Sequence, residues 1–405
     1  MKQSFNILKG VWKLLFLFLL ILITFSYAMF QGGFVSWFLF YSFLPFGIYA
    51  IFLFFYPLNQ MEAERSFQKN EFNAGESLKV TIILKRKSAF PLLYLVVEEC
   101  SSEELVFSMQ RIKAKRLLFP GFRKEITWDY QIDDLPRGEH FLRAIRMKTG
   151  DSLGLIEKEK QIHLEDKFIV YPVYEELIYR PMENHFDKGM AASKERVQRD
   201  TSVAIGIREY QPGDRFSWIN WKATAKRNEM MTKEFEQRKS HDVYIMMDCT
   251  PDSRFEAVVS FTASIIRAIL LKGAQVGFLS VASERVAFPV RSGESQQQQL
   301  FYHLAKVRDN SLVPIDRVLE AENFLVQQNV NLMLITAQIT KALIDKVGFF
   351  ATRKGTVTIF LLKNEQELPS PDDLALKAEA KARGLRVVFV HDGNFASVFS
   401  EVASR

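Results

Sequence analysis

No charged side chain stands between Lys13 and Glu62. A helix needs about 20 apolar residues to cross the hydrocarbon core of a bilayer. The stretch holds two such lengths, Leu14 to Phe30 and Phe34 to Tyr56, parted by Gln31-Gly32-Gly33. A short polar-glycine break between two spans predicts a membrane helical hairpin. Trp12, Tyr27, Trp37 and Tyr56 fall near the span ends, where amphipathic rings prefer the interface. Lys2, Lys9 and Lys13 precede the first span, none lies in the connection, and Arg65 and Lys69 follow the second. By the positive-inside rule both flanks face the cytoplasm. Ser26-Tyr27-Ala28 also resembles a signal-peptide cleavage site. Cleavage there would still leave the second span running inward and the rest of the chain in the cytosol.

The remainder reads as ordinary globular sequence, because the 36 phenylalanines concentrate in the spans. A net charge of +6 suits an anionic membrane surface or an acidic partner, and gives no argument for nucleic acid. Two distant cysteines, Cys100 and Cys249, form neither a disulfide framework nor a metal-ligand spacing.

From 65 to 175 short alternating runs predict a β-sandwich-like domain. Leu78 to Leu84, Leu93 to Glu98 and Glu125 to Tyr130 are the clearest, with turns at Asn73-Ala74-Gly75, Pro120-Gly121, Pro136-Arg137-Gly138 and Thr149-Gly150-Asp151. The basic run Arg111, Lys113, Lys115 and Arg116 is expected on a solvated hairpin face, with contact to anionic lipid headgroups the alternative. From 241 to 405 the pattern is strand–helix–strand. Continuous apolar strands are expected at Val243 to Met247, Val276 to Val281, Leu332 to Ile335, Val357 to Leu362 and Leu385 to Val390. Helical patterns lie at Arg254 to Lys272, Gln296 to Val307 and Ile315 to Gln328. These predict a doubly wound α/β domain, a parallel sheet covered on both faces, with ligands at the carboxyl ends of its strands. Asp248 to Asp252 and Thr336 to Gln338 sit at such ends.

Between the two regions, 180 to 240, lies Gly206-Ile207-Arg208-Glu209-Tyr210-Gln211-Pro212-Gly213-Asp214, followed by Ile219-Asn220-Trp221-Lys222-Ala223-Thr224-Ala225. Pro212-Gly213 reads as a turn. Asp214 is expected to cap a following helix and to pair with Arg208. Trp218, Trp221 and Ala225 are spaced for one packing face. The segment carries 13 Lys/Arg against nine Asp/Glu, which favours an acidic partner. It resembles the signature of the domain-of-unknown-function 58 family, bacterial membrane-anchored proteins. Arg-Glu-Tyr-x-Pro-Gly-Asp and Ile-x-Trp-Lys-Ala-x-Ala carry the likeness, and Ser217 departs from it where the family pattern has arginine.

The resemblance implies a von Willebrand factor A-like fold for the α/β domain. It also implies a MoxR-type AAA+ ATPase as partner, and a membrane transglutaminase-like protein besides. Such domains can hold a divalent cation through Asp-x-Ser-x-Ser. Here the loop reads Asp248-Cys249-Thr250-Pro251-Asp252, so Asp248, Thr250 and Asp252 form a degenerate set of oxygen donors for Mg2+. The further aspartate is replaced by Thr336-Ala337-Gln338. Cys249 is expected as a small buried residue rather than a nucleophile. No Gly-x-Ser-x-Gly, P-loop or His-Glu-x-x-His occurs. The chain therefore reads as a non-enzymatic scaffold or adaptor of the bacterial cell membrane, with its N-terminus and soluble domains cytoplasmic. Arg208, Asp214, Trp221 and Lys222 are its candidate docking residues. A cation-dependent ligand-binding domain is the alternative.

Overall fold

The charge-free stretch forms two long helices in the computed structural model, α1 (Lys2–Gln31) and α2 (Phe34–Phe55). Both are long and apolar enough to cross a bilayer. Apolar side chains such as Phe18, Phe30, Phe34 and Val35 point outward, which suits lipid and not water. The helices pack as an antiparallel hairpin. Phe25 meets Phe40 with ring centres 5.5 Å apart, and Gly47 gives Ile21 room to approach, since a Cβ there would lie 3.0 Å from its Cδ1. The described residues are 2–101, 114–179, 198–211, 214, 216–238, 242–321, 331–351, 356–396 and 398. Arg111, Lys113, the Pro212-Gly213 turn and the expected helix beyond Ala321 lie outside them.

The chain divides into two compact units, Met1–Val173 and Tyr174–Arg405. In the first, the hairpin leads into eight strands: β1 (Glu62–Phe67), β2 (Glu71–Asn73), β3 (Leu78–Lys85), β4 (Leu95–Ser101), β5 (Lys115–Leu118), β6 (Glu125–Ile132), β7 (Gly138–Gly150) and β8 (Glu157–Tyr171). They form a three-stranded sheet, β1-β3-β6, and a five-stranded one, β2-β8-β7-β4-β5. Alternation decides which side chains go inward. Leu78, Val80, Ile82 and Leu84 of β3 and Ile126, Trp128, Tyr130 and Ile132 of β6 share one core with Leu95, Val97, Ile145, Met147, Phe168 and Val170 of the other sheet.

Inside this core lies a charged cluster. Arg65 is buried and contacts Glu99 at 2.5 Å and Asp166 at 2.6 Å, while the Tyr130 hydroxyl donates to Glu99 at 3.1 Å. Arg65 Nη1 also donates to the Leu164 carbonyl. Burial pushes the Glu99 carboxyl and the Tyr130 phenol up. Arg65 is thus a fold residue as well as a charge flanking α2.

The second unit carries a two-stranded hairpin, β9 (Gln198–Glu209) and β10 (Met231–Arg238), with the short helix α3 (Trp221–Arg227) between them. Its main sheet has six strands: β11 (Val243–Met247), β12 (Val276–Val281), β13 (Arg285–Arg291), β14 (Asn331–Thr336), β15 (Val357–Lys363) and β16 (Arg386–His391). The order is β13-β12-β11-β14-β15-β16, all parallel except the β13 edge. Five helices accompany it: α4 (Phe255–Leu271), α5 (Glu294–Lys306), α6 (Ile315–Ala321), α7 (Lys341–Ala351) and α8 (Pro371–Ala382). Tyr244, Met246, Leu334 and Ile359 pack toward α6, α7 and α8. On the other face Phe360 meets Phe261 of α4, and Phe278 meets His303 of α5. Both faces are covered, which is why Val243–Met247 is buried throughout.

Removing the Arg65 cation leaves Glu99 buried beside only a phenol. Arg65→Met is expected to destabilise the first unit by about 3–5 kcal/mol, and adding Glu99→Gln to recover part of that. Urea denaturation of the full chain in detergent measures both; a near-neutral single substitution contradicts the assignment.

Candidate functional site

Two places in the second unit gather the residues singled out above. The first is the carboxyl edge of the six-stranded sheet. From the central β11 the chain winds outward to β12 and β13, then returns to β14 on the other side. That reversal opens a crevice beyond β11 and β14, where ligands of such sheets sit. Asp248 follows β11 and Thr336 ends β14, so the two flank it. Asp248 Oδ1 accepts from the Thr250 amide at 3.0 Å and hydroxyl at 2.9 Å, and Oδ2 accepts from the Thr336 hydroxyl at 2.7 Å. Asp252 is gripped by Arg254 through a two-pronged contact, Nε to Oδ1 and Nη2 to Oδ2, each at 2.9 Å. Its Oδ2 also accepts from Gln338 Nε2 at 2.9 Å.

The network continues sideways. Arg254 reaches Glu367 at 3.3 Å, and nearly buried Lys363 joins Glu367 at 3.1 Å to Asp373 at 2.7 Å. The Arg254 guanidinium beside Asp252 holds that carboxyl well below the usual carboxylate range. A divalent cation needs carboxylate oxygens turned toward it. Here Asp252 is committed to a cation that the protein already supplies, and both Asp248 oxygens accept from threonine hydroxyls. The residues do not fit a metal, and among the described residues no group of three or more His, Cys, Asp and Glu side chains is placed to hold one. Cys249 is buried, with Sγ directed to the Met247 carbonyl at 3.8 Å. A serine–histidine contact was not anticipated: Ser280 Oγ lies 2.7 Å from His303 Nε2. Ser280 is buried in β12, and half-buried His303 packs against Phe278 and Phe288.

The second place is the β9–β10 hairpin. Arg208 Nη2 contacts Asp214 Oδ1 at 2.7 Å, and Asp214 Oδ2 accepts from the Gln211 amide at 3.0 Å. The pair is where it was expected and ties the loop to the strand. Asp214 does not cap α3. Asn220 does, accepting from the Ala223 amide at 3.2 Å, because the chain first makes a 3-10 turn, Phe216–Trp218. The expected packing face of Trp218, Trp221 and Ala225 does not form either. Trp218 lies in that turn, outside α3, and Trp221 is 67% exposed. The Thr224 hydroxyl accepts from the Met231 amide at 3.0 Å, holding α3 to β10. Phe216, 72% exposed, stacks on Tyr210, and Ile207 on β9 and Met230, just before β10, are exposed. Lys222, Lys226 and Arg227 are exposed on α3.

Residues 206–402, from β9 through the six-stranded sheet, match the model of a protein family described as "Protein of unknown function DUF58". The chain is also 40% identical to the uncharacterized protein YeaD of Bacillus subtilis (strain 168), over 98% of this chain and 100% of that one. The chain belongs to the DUF58 family. The family's matched region contains the crevice and the hairpin from residue 206 onward. Two solved structures are similar to part of the chain. The CARDB domain of a Pyrococcus furiosus protein is 9% identical, covering 27% of this chain and 91% of its own, with a TM-score of 0.19. Spo0M, a sporulation control protein of Bacillus subtilis, is 16% identical over 27% of this chain and 49% of its own, with a TM-score of 0.16. Neither carries an argument at those scores.

Two outcomes are expected at the crevice. Asp252 has a depressed carboxyl, so its contribution is present above the ordinary aspartate value of about 3.9 and is lost as pH falls through the lower folded value. Asp252→Asn is therefore expected to cost about 2 kcal/mol at neutral pH, with the difference from wild type shrinking below about pH 4. Denaturation across pH checks this. Calorimetric titration with Mg2+ or Mn2+ is expected to give only heats of dilution; saturable heat abolished by Asp248→Asn would revive the cation reading.

Proposed function

We propose that this chain is a non-enzymatic scaffold or adaptor, tethered to the bacterial cell membrane by α1 and α2, that docks a MoxR-type AAA+ ATPase through the β9–β10 hairpin. In this reading the helices pass in and out, and the N-terminus and both soluble units are cytoplasmic. The second unit is of von Willebrand factor A type, with its cation loop replaced by the Arg254-centred network. A membrane transglutaminase-like protein is a further partner of the same assembly. Tethering raises the local concentration of the docking surface for any partner held at the membrane.

One observation carries the proposal: the signature tryptophan Trp221 is largely exposed, as is Phe216, on an element held in shape by its own hydrogen bonds. Aromatic side chains on a rigid support are the usual anchors of protein interfaces. Trp221 and Lys222 make the contact, and Arg208 and Asp214 act as positioning residues that fix the loop beside it. The excess of exposed basic groups on α3 suits an acidic partner surface.

Co-purification of the full chain in detergent with a MoxR-type ATPase tests this. Trp221→Ala is expected to weaken the complex by about 2 kcal/mol or more, roughly 30-fold, with an unchanged melting temperature. Lys222→Glu is expected to weaken it less and with stronger salt dependence. Arg208→Ala and Asp214→Ala should loosen both hairpin and complex. Wild-type binding by all four variants would sink the docking assignment.

A further inference from the structure

The first unit presents a surface that the scaffold reading leaves unused. Helix α2 has 22 residues and so rises about 33 Å, little more than the roughly 30 Å of hydrocarbon it would cross. Nearly its whole length is then needed inside the bilayer. Tyr49 lies six residues before its end, about 9 Å inside it. The Tyr49 hydroxyl donates to the Pro91 carbonyl at 3.1 Å and accepts from the Leu93 amide at 3.2 Å, and its ring stacks on Phe90 at 5.5 Å. A β-domain loop therefore runs beside α2 at a depth where the helix is still in the membrane.

A second loop is bound to the first. Leu92 and Gly121 exchange both backbone hydrogen bonds, each at 3.1 Å. Gly121 adopts φ +56°, as the Pro120-Gly121 turn requires. Phe119 and Phe122 stand on either side of that turn, 73% and 71% exposed, and Leu93 is exposed on the first loop. Large apolar side chains at a loop tip are costly in water and suit the membrane interface. Residues 87–94 and 115–124 contain Lys87, Lys115, Arg116, Arg123 and Lys124 and no acid, a charge pattern that suits anionic headgroups.

Backbone entering lipid must have its polar groups satisfied. Buried Arg86 supplies this for both loops: Nη1 donates to the Phe90 carbonyl at 2.5 Å, Nη2 to Gly121 at 2.6 Å and Nε to Arg123 at 2.5 Å. We propose that the loops at 87–94 and 117–124 dip into the bilayer leaflet beside the end of α2, with Phe119, Phe122 and Leu93 inserted among the lipids and the neighbouring lysines and arginines at the headgroups. Lys115 and Arg116, expected on a solvated face, then lie at a membrane face. The domain is seated on the bilayer as well as tethered to it, and this rests on α1 and α2 spanning the membrane.

Single nitroxide labels test the seating in the full chain, in nanodiscs of equal parts phosphatidylcholine and phosphatidylglycerol. Cys100 and Cys249 are first replaced by alanine. Phe119→Cys and Phe122→Cys probe the tip, Gln131→Cys the far end of β6, and Phe38→Cys the second span. The tip and span labels are expected to collide several-fold more with oxygen than with a water-soluble nickel chelate, and the Gln131 label the reverse. If Phe38 reads as lipid while either tip label is wet, or is closed to both reagents, the seating is wrong and the anchor stands. A lipid-like Gln131 label overturns a dip confined to the tip. A wet Phe38 label removes the anchor and the seating together.

Discussion

The first unit depends on the join between a long apolar helix and a sheet. Where α2 ends, its last carbonyls and those of the following turn need donors. The β8 lysines provide them: Lys158 Nζ donates to the Tyr56 carbonyl at 2.6 Å, and Lys160 Nζ to Asn59 at 2.9 Å and Met61 at 2.5 Å. Tyr56, Leu58 and Met61 continue from the helix into the core shared by both sheets. No flexible linker separates span from domain. The direction of α2 therefore fixes the direction of the sheets, and the loops around Tyr49 are held against it.

In the second unit the same economy of charge operates differently. The crevice at the sheet reversal has the position of a ligand site, yet its acids are spent internally. Asp252 holds Arg254, Arg254 meets Glu367, and Lys363 links Glu367 to Asp373. Such a network fixes loop geometry and leaves little charge to offer a ligand. The β9–β10 hairpin has the opposite character. Its polar groups shape a loop, while Phe216 and Trp221 stay in solvent. That contrast moves attention from the crevice to the hairpin.

Much of this was legible in the residues. Strands β3, β6, β11, β12, β14, β15 and β16 and helix α4 fall within a residue or two of expectation, because alternation and continuous apolar runs are strong signals. The long pair β7–β8 was missed, since β8 alternates charged and half-buried residues, EKEKQIHLEDK, and looks like a polar stretch. Edge strand β13 was hidden because it contains Pro289, which argues against a strand except at a sheet edge. The Arg208–Asp214 pair was readable from its closeness through a turn. The packing face of Trp218, Trp221 and Ala225 was not realised because seven-residue spacing presumes one unbroken helix, and α3 starts only at Trp221. The seating of the loops beside Tyr49 rests on contacts 42 and 44 residues apart, which no local pattern reveals.

The central claim is the proposal that a membrane-tethered chain docks an ATPase through its β9–β10 hairpin. Hydrogen–deuterium exchange of the full chain in nanodiscs, with and without a MoxR-type ATPase, tests it most directly. The account predicts that α1 and α2 are protected in both states, and that peptides covering Ile207 to Lys233 slow their exchange when the ATPase is added. Unchanged exchange over that segment, or protection arising instead along the Asp248–Asp252 edge, would contradict it.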